Sequence, residues 1–269
     1  MAVKAGSMAT AADRSFPPRL GWPARLAWLA FAIYFAYALS HLQVTPARVM
    51  AGLEFGYKFL VKLFPPDFQR WELLLKGLKE SLEIAVLASV LGLLISLPVS
   101  LLAARNLMPA WVTWPARFLM VVCRSFHPVI IAILFVKAVG FGALAGILAL
   151  TVASLGFLGK LFTEAIEEIS LKQVEAVRAT GAPFMSVIAY GVVPQVFSRF
   201  IGFASYELDS NLRNSTMVGI VGAGGIGGTL FAAFQRFDYD FVCAIILSII
   251  ALIIAGEILT NAVKKVFRA

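Results

Sequence analysis

Charged residues make up only 14% of this 269-residue sequence, against roughly 25% in soluble domains. That scarcity excludes an ordinary water-soluble globule, because too little polar surface remains to cover one. Cysteine is almost as rare. Cys123 and Cys243 are the only two, both inside apolar stretches, so neither a disulfide framework nor a cysteine metal site is expected. With two histidines in all there is no Cys/His cluster, and no pair of acids sits in a pocket-like context. A membrane enzyme therefore lacks candidate chemistry. The sequence also has no G-x-x-x-x-G-K-[ST] segment, the loop that cradles nucleotide phosphates, so this chain does not hydrolyse ATP alone.

What is abundant is apolar sequence: 60% of residues are hydrophobic and the mean hydropathy is +0.87. Leu26 to Ala47, Ile84 to Ala104 and Ala138 to Gly159 carry no formal charge, and each is long enough to cross a bilayer, which takes about 20 helical residues. The fold class is an all-α polytopic membrane protein. The net charge of +8 is read as loop-holding basic residues on the cytoplasmic side, not as a nucleic-acid surface.

In order, residues 1–22 read as a cytoplasmic tail. Residues 23–80 hold a first, uncleaved span (Leu26 to Leu42) and then amphipathic pieces on the external side. There Val49, Leu53, Tyr57, Leu60 and Phe64 recur at helical spacing among Arg48, Glu54, Lys58 and Lys62. That pattern suits a helix lying on the bilayer surface or one packed on its own bundle. Residues 81–263 form the core. Its spans are expected near Ser81–Ala104, Phe118–Val136, Ala143–Lys160, Met185–Tyr206 and Tyr239–Val263, with a polar and glycine-rich stretch, 207–236, before the last. Residues 264–269 are a second tail. Six spans put both termini on one side, and the basic residues of the two tails and of the Arg105/Arg117 loop make that side cytoplasmic.

One polar interruption, residues 160–184, stands out in the apolar second half. Leu171, Val174 and Val177 make a narrow apolar stripe, while Lys172, Glu175 and Arg178 are spaced for intrahelical pairs. Gly181 and Pro183 then end the helix. A short helix of this kind suits a groove in another protein. Within it, Glu175-Ala176-Val177-Arg178-Ala179-Thr180-Gly181, with Pro194 thirteen residues beyond the glycine, resembles the coupling-loop signature of ABC importer permease subunits: Glu-Ala-Ala, three residues, Gly, nine residues, Ile-x-Leu-Pro. Gly191 stands where that pattern has Ile. The finer likeness, over residues 75–263, is to phosphonate-type permeases. It rests on Arg124-Ser125-Phe126-His127-Pro128, on residues 139–146, and on Asn211-Leu212-Arg213 leading to the glycine-rich run at 218–227; Glu207-Leu208-Asp209 replaces the family's Arg-Phe-Glu.

The resemblance implies a type I ABC importer architecture in a bacterial inner membrane, with two copies forming the pathway for a phosphonate or related phosphorus oxyanion. Two ATP-binding subunits, which hold ATP and Mg, would grip the insert through Glu164, Glu168, Glu175, Ala176, Arg178, Gly181 and Pro194, and an extracytoplasmic binding protein would deliver substrate. No metal or cofactor is expected in this chain itself.

Candidate pathway residues are the polar groups inside spans, since placing Arg there costs roughly 2.5–3.5 kcal/mol and usually marks a wet or paired position. They are Arg124, His127, Arg199, Glu207, Asp209, Asn211 and Arg213, either an electropositive route or bundle salt bridges such as Arg199 with Glu207. His127 beside Pro128 also suits simple helix packing. Gly222, Gly224 and Gly225 satisfy G-x-G-x-x-G, but no strand-helix-strand unit surrounds them; they suit a re-entrant turn near the pathway or close helix contacts. The rival function, a stand-alone secondary transporter or channel, requires inverted repeats or mid-membrane coupling carboxylates, and the sequence displays neither.

Overall fold

The computed structural model describes residues 21–42 and 45–267; most of the expected N-terminal tail and the last two residues lie outside them. The chain divides into two units, residues 1–61 and 62–269.

The first unit holds α1 (Trp22–His41) and nearly all of α2 (Pro46–Leu63). α1 is apolar on every side and long enough to span. Trp28 and Phe31 meet edge to face and Phe31 stacks on Phe35 along it. Thr45 begins α2 by accepting the Arg48 amide through its hydroxyl, as N-cap threonines do. Glu54 pairs with Lys58 at 2.6 Å on its polar side.

The second unit begins with α3 (Trp71–Ala103), a single 33-residue helix. The separate amphipathic piece expected up to Glu80 is its first turns, because nothing between Trp71 and Pro98 breaks the helix, and it runs on through that proline. α6 (Ala143–Glu167) lies at the centre, packed against α3, α4, α5 and α9. Small residues make the close crossing possible. Ala88, Ser89, Gly92 and Ser96 of α3 are buried, as are Ala145, Ala149, Ser154 and Gly156 of α6, the composition by which membrane helices approach closely.

The third expected span, Phe118–Val136, is not one helix. α4 (Ala110–Ser125) and α5 (Pro128–Val139) meet at 92°. Pro128 has no amide hydrogen to give and forces the residue before it to be extended. His127 obeys, at φ −67° and ψ 141°, and its Nδ1 accepts the Val129 amide to cap α5.

After α6 come α7 (Leu171–Ala179), α8 (Phe184–Val187), one π-helical segment (Ile188–Val192) and α9 (Val193–Ile220). α8 to α9 form one apolar stretch of 37 residues. The fifth span, expected to end near Tyr206, continues as helix for almost four turns to Ile220, since Glu207, Asn211 and Ser215 are buried against neighbouring helices. A tight turn over 221–225 leads to α10 (Ile226–Gln235), then to α11 (Tyr239–Phe267). Asp67, Arg70 and Asp238 lock the start of α3 to the start of α11: Arg70 bonds Asp238 at 2.7 Å and Asp67 at 3.3 Å, and its guanidinium lies 3.8 Å over the Phe241 ring.

Among the described residues five helices are long and apolar enough to span, and the bent α4–α5 pair makes six.

Candidate functional site

The polar interruption folds as a helix held between two spans. α7 connects the end of α6 to the stretch that becomes α9. Val174, 1% exposed, is its only buried residue and joins Ala165 and Ile166 of α6 and Val187, Val192 and Val196 in one apolar cluster. Lys172, Glu175, Ala176 and Arg178 are exposed. The spacing expected to pair Lys172, Glu175 and Arg178 produces no ion pair among the described ones, so these charges face outward unengaged. Thr180 and Gly181 close the helix. Gly181 has φ +76°, the left-handed conformation that glycine adopts without steric cost, and its amide bonds the Arg178 carbonyl at 3.0 Å.

Pro194 explains the π-helical segment before α9. It cannot donate an amide, and the Val193 amide reaches five residues back to the Ile188 carbonyl, as in a π-bulge. Gly191 lies within this segment and faces α7: a Cβ there would stand 3.3 Å from Val174 Cα. The glycine that departs from the expected Ile therefore sits at the crossing of α7 and the span.

Gln195 completes the base, although sequence reasoning did not single it out. Its side-chain oxygen accepts the Ser170 amide at 2.9 Å, and its nitrogen donates to the Gly191 carbonyl at 2.6 Å and to the Ser170 carbonyl at 3.3 Å. Only its position beside Pro194 could have drawn notice. Glu168 pairs with Arg199 at 2.6 Å, so Arg199 closes this base and does not reach Glu207 as the span register had suggested. Glu164 pairs with Lys160 at 3.3 Å. Glu167 takes the Arg117 guanidinium at 2.6 Å and the Arg105 amide at 2.8 Å, fixing the α3–α4 loop to the same end of α6.

Farther along the bundle, α3, α6 and α9 bury a polar cluster. Asn211 donates to Ser89 and Ser154, both at 3.0 Å, and the Ser154 hydroxyl donates to Glu207, which is 5% exposed. Glu207 and Asn211 also line a cavity of about 250 Å³, with Arg124, Ser210 and Asn214 among the other walls. Arg124 reaches it because Gly156 lets α4 press on α6: a Cβ at 156 would stand 2.6 Å from Arg124 Cγ. No described ion pair engages Arg124. The arrangement can hold a polar, hydrogen-bonding solute against one cation and several amide and hydroxyl groups.

Arg213 is not brought to that cavity. It is exposed and pairs with Asp209 at 2.7 Å on another face of α9. His127 serves as the α5 cap described above. Gly222, Gly224 and Gly225 have φ between +80° and +89° and form the turn after α9, at the end of the bundle opposite α7. The Gly142 amide bonds the Gly222 carbonyl at 3.0 Å, and the Ser81 hydroxyl accepts the Ile226 amide at 2.9 Å. The turn is thus packed tightly against α3 and the α5–α6 link. Among the described residues no group of three or more His, Cys, Asp or Glu side chains could hold a metal ion.

The arrangement has counterparts. The chain is 40% identical over 205 residues to the phosphite transport system permease protein PtxC of Stutzerimonas stutzeri, covering 76% of this chain and 74% of that one. It is 34% identical over 226 residues to the phosphate-import permease protein PhnE of Mycolicibacterium smegmatis, covering 83% of this chain but only 42% of that longer protein. Among solved structures, a chain of the inward-facing MetNI methionine ABC transporter superposes with a TM-score of 0.64 at 22% identity, covering 75% of this chain and 99% of that one, which establishes the permease fold. Residues 96–268 match the family described as binding-protein-dependent transport system inner membrane component, and the chain belongs to this family of transport permeases.

Proposed function

We propose that two copies of this chain form the membrane pathway of an ATP-driven importer for a phosphonate or a related phosphorus oxyanion. Two separate ATP-binding subunits, holding ATP and Mg, grip the segment from Glu164 to Gly181, and an extracytoplasmic binding protein delivers the solute. Both termini and α7 lie on the cytoplasmic side. The observation that carries this reading is the division of α7: Val174 is sunk into the α6–α9 junction while Glu175, Ala176 and Arg178 face outward. A helix so placed transmits a push from a soluble partner to the two spans it connects, and closure of the ATPase pair swings those spans between outward- and inward-open states. The oxyanion assignment is supported by the names of the relatives and by Arg124, whose guanidinium geometry suits such groups. Arg199, at the α7 end, is a second cation on the route, and Pro194 belongs to the coupling base.

The test is twofold. Glu175→Lys or Gly181→Asp leaves the protein in the membrane but abolishes co-purification of the ATPase; retained binding overturns the docking role. Uptake of phosphonate, phosphite and phosphate in a strain lacking the gene, with and without the restored chain, identifies the solute, and failure to restore any of the three overturns the oxyanion assignment.

A further inference from the structure

Beyond the cavity beside Arg124, a second cavity of about 530 Å³ opens toward the α7 end, with Arg199 and Lys264 among its walls. The two cavities have two walls in common, Phe157 of α6 and Tyr206 of α9. The rings of these residues lie 5.7 Å apart between centroids, inclined by 30°. Their places on the helices are regular. Ala153, Phe157 and Leu161 follow at four-residue steps along α6, the first lining the upper cavity, the last the lower. On α9 Gly202, Tyr206 and Ser210 do the same in the opposite chain direction. Residues four apart share one helix face, so each helix offers a continuous stripe that changes from one cavity to the other at its aromatic residue. Elsewhere the stripes carry small or aliphatic side chains.

We propose that Phe157 and Tyr206 form the gate between the upper, Arg124-lined cavity and a lower chamber through which the anion leaves past Arg199 and Lys264. The inference rests on the transport reading given above. An aromatic constriction on the path of a hydrated anion blocks it by excluding water. The gate is also placed to be driven, because α6 and α9 are the two helices that α7 joins. Displacing α7 shifts their ends relative to each other, and the rings part. With the rings together, the solute has access only to the upper cavity.

The experiment uses the full transporter, permease with its ATPase and binding protein, in liposomes. In a Cys123→Ser, Cys243→Ser background, Ser210→Cys places a thiol in the upper cavity, and a sulfonate-bearing thiol reagent is added from the α7 side without ATP. Adding Phe157→Ala and Tyr206→Ala is expected to raise the labelling rate at least roughly tenfold, and phosphite preloaded into the liposomes leaks at a correspondingly higher rate. Tyr206→Ser alone gives the same readout if the double substitution fails to assemble. Unchanged labelling and unchanged leakage in these variants overturn the gate. The labelling arm does not depend on the cargo: accelerated labelling without phosphite uptake in the parent protein sinks the oxyanion reading and leaves the gate standing, whereas uptake with unaltered labelling does the reverse.

Discussion

Val174 of α7 and Gly191 at the base of α9 touch backbone to backbone, with only 3.3 Å between Val174 Cα and the position a side chain at 191 would first occupy. The contact seats the one buried residue of α7 against the span. Gly191→Ala requires a shift of a few tenths of an ångström, whereas Gly191→Leu cannot fit without lifting α7 off its cluster. Overpacking of this kind costs about 1–3 kcal/mol. The expected outcome is that Gly191→Leu lowers the thermal midpoint of the purified permease and weakens ATPase co-purification, while Gly191→Ala does so only slightly. Pull-down of the ATPase beside a thermal melt in detergent checks both.

The base beneath that contact depends on one amide side chain. Gln195 bonds the exposed Ser170 amide and carbonyl and the part-buried Gly191 carbonyl, so Gln195→Ala removes three hydrogen bonds at once. Each such bond contributes about 0.5–1.5 kcal/mol net. By contrast, the Glu168–Arg199 pair next to it is exposed on both sides, and exposed pairs contribute at most about 1 kcal/mol. Gln195→Ala is therefore expected to destabilise more than Glu168→Ala, a ranking read directly from melts of the two variants.

This pairing marks where sequence reasoning reached and where it stopped. α7 was legible because a charged, glycine-terminated segment between apolar runs has few other uses. The spans were legible from length and charge. The break at His127 was not, although Pro128 signalled it, because 118–136 is apolar enough over its length to pass as one span despite Arg124 and His127, and hydropathy does not register direction. The extension of α9 was hidden for the opposite reason. Glu207 and Asn211 look like loop residues until Ser89 and Ser154, more than 50 positions away, supply their partners. Gln195 and the Arg199–Glu168 pair depend likewise on contacts between distant segments.

Arg124 and Arg213 are both arginines in the helical core, but their surroundings separate their expected effects. Arg124 lines the upper cavity and has no described ion pair, so Arg124→Gln removes a charge-assisted contact to an anion, worth about 1.5–3 kcal/mol. Uptake is expected to fall at least tenfold with assembly unchanged. Arg213 holds Asp209, whose Oδ1 is buried without a hydrogen-bond partner. Arg213→Ala strips that carboxylate of its cation as well, and its first consequence is a loss of stability, relieved when Asp209→Asn is added. Uptake per assembled complex, measured beside expression and melting for all three variants, separates the two roles. Equal loss of specific uptake in Arg124→Gln and Arg213→Ala would place both in the pathway.

The turn between α9 and α10 is tightly enclosed. Gly224 has φ +81°, and a Cβ there would stand 2.7 Å from both the amide nitrogen and the Cα of Ala143, and 2.8 Å from a Glu80 oxygen. Backbone atoms cannot rotate away as a side chain can. Gly224→Ala thus combines the strain of a left-handed backbone with overpacking, together about 3 kcal/mol. Because the turn ties α9 and α10 to the α5–α6 link and to α3, the damage spreads to the end of the bundle opposite α7. The expected result is a lower thermal midpoint and lower uptake, with ATPase co-purification retained, since the α7 base with Val174, Gly191 and Gln195 is untouched. That split is the informative part: loss of ATPase binding in Gly224→Ala would mean that the two ends of the bundle do not fold independently of each other.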